Sequence, residues 1–176
     1  MNTPRLFLEP EEFSSTDTVR LARMLLGKTL VLEQGSSREA HLITEVEAYD
    51  GPEDKASHAS RGLTPRNAVM FGPGGIWYVY LVYGIHEMLN LVTGPEGYPA
   101  AILIRGLDSV SGPGRLTRNL GLDRRFNGLP AHPDTGLFLE DPGQTVSGKS
   151  IRRTPRIGVD YAGPVWAVKP YRFLIS

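Results

Sequence analysis

The segment from Lys28 to Gly51, KTLVLEQGSSREAHLITEVEAYDG, constrains the fold more than any other. It holds two runs of strand-like residues that meet at Gln34-Gly35-Ser36-Ser37 and stop at Gly51-Pro52. Two such runs around a short glycine-containing turn read as a β-hairpin. Side chains alternate along a strand, so Ile43, Glu45, Glu47 and Tyr49 are expected on one face and Thr44, Val46 and Ala48 on the other. Half-buried alternation of this kind belongs to an antiparallel sheet, and it places two carboxylates and a phenol side by side.

The remaining punctuation gives the fold class. In DTVRLARMLLG, Asp17 is a helix cap, the apolar residues recur at helical spacing, and Gly27 is the stop. GPGRLTRNLGL reads as a short helix opened by Pro113. IWYVYLVYG, MLNLVT, AAILIRGL, GLFLE and VWAVKPYRFLIS read as strands, and proline and glycine divide residues 121–164 into loops. The expectation is an α+β fold: a curved, mostly antiparallel sheet flanked by helices, with a protruding β-hairpin. A chain of 176 residues holds one such domain, spanning 1–176.

Composition narrows the setting. With no cysteine, disulfides and thiolate zinc sites are excluded. The amino terminus lacks a basic start leading into an apolar run, and no segment approaches a membrane span, so a soluble intracellular protein is expected. Net charge is zero but unevenly placed: residues 1–60 carry 6 basic against 11 acidic side chains, and residues 61–176 carry 13 against 8. A basic face is therefore expected from the second part.

Two motif matches lead nowhere. GQTVSGKS, Gly143 to Ser150, satisfies the phosphate-loop pattern, yet Pro155 and Gly158 interrupt the helix that should follow. HEMLN begins like a zinc-protease helix but has Asn90 where the second histidine belongs. No metal and no cofactor are expected.

WYVYLVY packs Trp77, Tyr78, Tyr80 and Tyr83 into seven positions before Gly84 turns the chain. Alternation sends Tyr78 and Tyr80 to one face and Trp77 and Tyr83 to the other, with Tyr83 at the hairpin end. Cross-strand packing accounts for aromatic residues in many strands. Buried phenols, however, each need a hydrogen-bond partner, and a platform for planar ligands, nucleobases above all, is the functional alternative.

Taken together, LARMLLGKTLV, TEVEAYDGPEDKASHASRGLTPRN, MFGPGGIWYVYLVYGIHEMLN, AILIRGL, SGPGRLTRNLGL and RIGVDYAGPVWAVKPYRF resemble, in order, the alkyladenine DNA glycosylases that remove 3-methyladenine and related damaged purines. The match covers most of residues 20–173, and the short form resembles bacterial members. The resemblance implies a monofunctional glycosylase that flips an alkylated or deaminated purine out of damaged double-stranded DNA and hydrolyses its glycosidic bond. The expected substrates are 3-methyladenine, 7-methylguanine, hypoxanthine and ethenoadenine. It also implies a monomer of the bacterial cytosol.

Residue by residue, the resemblance makes Glu47 the general base that activates water, with Arg105 and the backbone carbonyl near Val159 helping to hold that water. Tyr49 and Tyr80 sandwich the base, and His58 lines the pocket with Tyr78 as its hydrogen-bond partner. Asn90 crowds the amino group of a normal guanine, and Tyr83 fills the gap left in the duplex. Arg105 also approaches a phosphate. Arg115 and Arg118 are expected on the DNA backbone from their charge and position. Glu45 is the alternative acid, although Ala48-Tyr49 after Glu47 fixes the alignment. Lys55, in GPEDKAS, raises an amine nucleophile as a further alternative, while Trp77 and His86 have no assigned role. A non-catalytic binder of single strands, using the same tyrosines, is the competing class; it gains nothing from an anion among the rings.

Overall fold

The computed structural model describes residues 6–176. Nine strands and three short α-helices form one α+β unit in the order α1 (Thr18–Leu25), β1 (Thr29–Gln34), β2 (Ser37–Tyr49), β3 (Trp77–Val82), β4 (His86–Thr93), β5 (Ala100–Leu107), β6 (Val110–Ser111), α2 (Pro113–Leu120), β7 (Leu137–Glu140), β8 (Ile151–Thr154), α3 (Gly163–Trp166) and β9 (Arg172–Ile175). The sheet runs β3-β4-β5-β2-β1-β7 with every pairing antiparallel, and β9 joins β2 to β8. It curls into a half-barrel around one main core that includes Phe13, Trp77, Leu91, Ile102, Ile104 and Phe173. No helix among the described residues is long and apolar enough to cross a membrane.

Local signals act as the sequence foretold. Asp17 accepts a hydrogen bond from the Arg20 N–H at 3.0 Å and caps α1, which buries Leu21, Ala22 and Leu25. Pro113 opens α2 and the left-handed Gly121 closes it. β1 and β2 meet at Gln34 and Ser37 across the expected two-residue turn.

Three expectations need correction. The β2–β5 register shifts on both sides of Glu45, so the pairing skips Thr44 on one strand and Arg105 on the other. An extra residue resets the alternation. Ile43 therefore joins Val46 and Ala48 in the core rather than sharing the face of Glu47. Second, residues 121–164 are not all loop: Ile151–Thr154 is a strand, because β9 offers it an edge. Third, VWAVKPYRFLIS is not a continuous strand, since Pro164 starts the turn of helix α3 and only Arg172–Ile175 pairs. Within GQTVSGKS, Gly148–Ser150 forms a single 3-10 turn followed directly by β8, so no phosphate-loop helix exists. HEMLN lies on β4, with no helix to bring ligands together.

Candidate active site

The site is built where β2, β3, β4 and β5 lie side by side. Register sets Tyr78 against Asn90, Asn90 against Leu103, and Leu103 against Glu47, which lines up one residue from each strand. A cavity of about 260 Å³ opens over this row, near the lower end for small-molecule sites. Its walls include Tyr49, His58, Tyr78, Tyr80, Tyr83, Asn90, Arg105 and Val159. Every residue implied for base binding thus converges on one space.

Glu47 has no exposed surface and lies just behind that wall, outside the lining itself. Its Oε1 accepts the Ile157 backbone N–H at 2.8 Å and faces Arg105 Nε at 3.5 Å, while Oε2 accepts the Tyr49 hydroxyl at 2.9 Å. Burial pushes the carboxyl above its ordinary range, against the pull of Arg105, the Ile157 N–H, Tyr49 and Arg156. Such a carboxylate is more basic than an exposed one. Glu45, the alternative acid, accepts from Arg105 Nε at 3.1 Å and Arg172 Nε at 2.6 Å on a single oxygen, and it does not line the cavity.

Three of the rings pack on one another. Tyr80 packs at 5.1 Å on Tyr78 and edge-on at 4.6 Å to His58, and Arg66 braces it at 5.8 Å while donating to the Leu81 carbonyl at 2.7 Å. Burial raises the Tyr78 phenol to about 12 and the Tyr80 phenol further, so both stay protonated at neutral pH. The Tyr49 phenol is likewise pushed up, by burial and then by Glu47. Desolvation and then the Arg66 charge push the His58 imidazole down.

The expected His58–Tyr78 hydrogen bond is not made, because the Tyr78 hydroxyl is buried with no partner. The His58 ring instead packs on Tyr80. An unpaired buried hydroxyl in a cavity wall is available to a ligand's polar edge. Asn90 donates to the Tyr78 carbonyl at 3.2 Å and the Met88 carbonyl at 3.3 Å, which pins its amide. Val159 is buried, and its carbonyl accepts the Ala162 N–H at 2.9 Å, leaving one lone pair.

Tyr83 sits at the tip between β3 and β4, 91% exposed, with φ of 51°. It is the one non-glycine residue at positive φ among those described. Gly84 beside it, at φ 68°, supplies the second left-handed step that reverses the chain. Trp77 goes the other way: it is fully buried, with its indole N–H on the Leu137 carbonyl at 2.9 Å, so it serves the core. His86 lies against the first turn of α2, where a Cβ on Gly114 would come within 3.0 Å of its ring.

Arg115 and Arg118 are exposed on α2, whose first residue, Pro113, lines the cavity. Arg105, by contrast, spends its Nε on the two carboxylates and is mostly covered. Lys55 is exposed and lines a neighbouring recess with Arg61 and Arg66, not the main cavity. No group of three or more histidine, aspartate and glutamate side chains is placed to hold a metal among the described residues.

Sequence reasoning missed Tyr161, Ile157 and the Asp54–Arg156 pair. Tyr161 lines the cavity and donates to the Ala56 carbonyl at 2.7 Å, and Ile157 supplies the donor to Glu47. All three lie in or against RIGVDYAG, and a loop without period gives no local cue to partners more than 100 residues away.

The methylpurine-DNA glycosylase family profile matches residues 12–111 and 107–176. A protein of Anaeromyxobacter dehalogenans (strain 2CP-C) is 46% identical over 173 residues, covering 94% of this chain and 82% of its own. One from Myxococcus xanthus (strain DK1622) is 45% identical, with 94% and 89% covered, and one from Legionella pneumophila (strain Paris) is 41% identical, with 98% and 95% covered. Each of the three bears the name "Putative 3-methyladenine DNA glycosylase".

Proposed function

The chain belongs to the methylpurine-DNA glycosylase family, and from that premise we propose that it is a monofunctional enzyme that flips a damaged purine out of duplex DNA and hydrolyses its glycosidic bond. The observation that carries this reading is the fully buried Glu47 carboxylate directly behind a cavity walled by Tyr49, His58, Tyr78 and Tyr80. A purely stacking surface has no use for that anion.

In this reading the base slides between Tyr49 and Tyr80, and an alkylated, positively charged purine is drawn to the electron-rich ring faces. Glu47 takes a proton from water and faces the positive charge that develops on the sugar. The free lone pairs of Glu47 Oε2 and of the Val159 carbonyl, together with Arg105, hold that water. Asn90 and His58 edge the base, and the Tyr78 hydroxyl gains a partner from it. Tyr83 enters the duplex and offsets part of the stacking lost on flipping. Arg115 and Arg118 contact phosphates, as does the start of α2. The 176-residue chain acts as a single domain, as a monomer in the bacterial cytosol, on 3-methyladenine and 7-methylguanine and also on hypoxanthine and ethenoadenine.

The test uses end-labelled duplexes carrying one hypoxanthine, ethenoadenine or 7-methylguanine, with 3-methyladenine followed by base release from methylated DNA. Strand breaks that appear only after alkali report hydrolysis without lyase chemistry. Glu47→Gln is expected to bind the damaged duplex and to lose excision. Normal excision by that variant refutes the mechanism.

A further inference from the structure

Asp54 and Arg156 have side chains with no exposure, in two loops far apart in sequence. The guanidinium forks onto both oxygens of the Asp54 carboxylate, with Nη2 donating to Oδ1 at 2.9 Å and Nη1 to Oδ2. Nη1 also donates to the Ala48 carbonyl at 2.8 Å and Nη2 to the Trp166 carbonyl at 3.2 Å. The guanidinium carbon lies 4.8 Å from the centre of the Tyr49 ring and 5.3 Å from that of Tyr171.

A buried ion pair by itself is weak evidence for stability, because apolar residues of similar volume do as well. What this pair supplies is geometry around the carboxylate. Ala48 lies in the chain between Glu47 and Tyr49, so the Arg156 side chain is tied to the strand at the peptide between them. The next peptide along from Arg156 is the Ile157 N–H that donates to Glu47 at 2.8 Å. Side chain and backbone therefore staple one loop to β2 at two adjacent points. On the other side, Asp54 accepts the Asp50 N–H at 2.9 Å and the Ala56 N–H at 3.0 Å, which shapes the loop leading to Ser57 and His58. Tyr161, from the Arg156 loop, closes back on the Ala56 carbonyl.

We propose that Arg156 is a positioning residue for the excision step: one planar guanidinium holds the Tyr49 ring, the Ile157 donor to Glu47 and the His58 loop in a single register. This rests on the glycosylase reading above. It requires arginine, since lysine offers neither the two-pronged fit to Asp54 nor a flat face for the rings.

The test compares three proteins with the native chain: Arg156→Lys, the charge-neutral double variant Asp54→Asn/Arg156→Gln, and Glu47→Gln. All are checked for folding by thermal melting. Arg156→Lys is expected to bind a hypoxanthine duplex as the native chain does while its single-turnover excision falls about 10- to 100-fold, the cost of a small misplacement at the reacting atoms. In the double variant, which loses the guanidinium fork, duplex binding is expected to stay native while single-turnover excision falls at least as far, a split between binding and rate that a purely structural role does not give. If Arg156→Lys does not fold, the double variant, which buries no unpaired charge, carries the test through that split. Full excision by Glu47→Gln removes both this inference and the reading beneath it. An inactive Glu47→Gln beside a folded Arg156→Lys, or a folded double variant, with native single-turnover rate overturns the positioning role alone.

Discussion

Tyr83→Gly separates stability from function at the hairpin tip. The side chain is 91% exposed, so its removal forfeits almost no packing. Its φ of 51° is left-handed, which costs a non-glycine residue about 1–2 kcal/mol. Glycine relieves that cost but adds about 0.5–1 kcal/mol of unfolded-chain entropy. The difference leaves the variant between unchanged and about 1.5 kcal/mol more stable, a melting temperature equal to the native value or up to about 3–6 °C above it. Function moves the opposite way. A ring that replaces an extruded nucleotide contributes stacking of about 1–3 kcal/mol, so excision from a hypoxanthine duplex at subsaturating protein falls about 5- to 150-fold. Thermal unfolding followed by circular dichroism and single-turnover excision are measured on the same preparation. A clearly lower melting temperature refutes the strain argument, and native excision refutes the insertion role. Asn at the same position tolerates left-handed φ and keeps a side chain, so it should retain the stability while losing the activity.

Glu47→Gln should be more thermally stable than the native chain at neutral pH. A carboxyl whose pKa is raised in the fold favours the folded state only while protonated, so its stabilising effect is complete below the unfolded carboxyl range and is lost as pH rises through the raised value. The melting-temperature gap should therefore shrink as pH is lowered through that value; a gap that widens would contradict the sign. With Glu47 as the proposed base, activity should follow the same titration from the other side, with an acid limb above the ordinary glutamate range, readable in the pH dependence of single-turnover excision. Asp54→Ala leaves the Arg156 charge buried and unpaired and should cost about 3–5 kcal/mol in denaturant unfolding. Trp77→Ala should cost about 3–5 kcal/mol, with no binding defect left once the protein is folded at low temperature, because the ring serves the core.

Much of the scaffold was legible because its signals are local. Asp17 and Pro113 mark helix starts that any chain must satisfy within a few residues, and the Gly35 turn joins strands that are neighbours in sequence. The C-terminal run departs from its strand pattern because VWAV carries strand propensity, while Gly163-Pro164 before it starts a helical turn. That cue was present in the sequence. β8 had none: IRRT becomes a strand only because β9 lies beside it.

The site divides along the same line. The sequence by itself determined the chemical types, two acids and a tyrosine on one strand, four aromatic residues before a glycine turn, and a histidine and an asparagine in matching segments. It also fixed which way Tyr80 and Trp77 face, since alternation is a property of one strand. Only the tertiary structure decided where each of the two acids lies and what it touches. The irregularity at Glu45 turns that carboxylate to Arg105 and Arg172, while Glu47 is sealed between Tyr49, Ile157 and Arg105. Only the tertiary structure supplied Arg156, Ile157 and Tyr161, which come from a loop with no period of its own. The reason is physical: backbone periodicity and capping act over a few residues, whereas burial, and the shift it imposes on a carboxylate, depends on whatever distant chain happens to cover it.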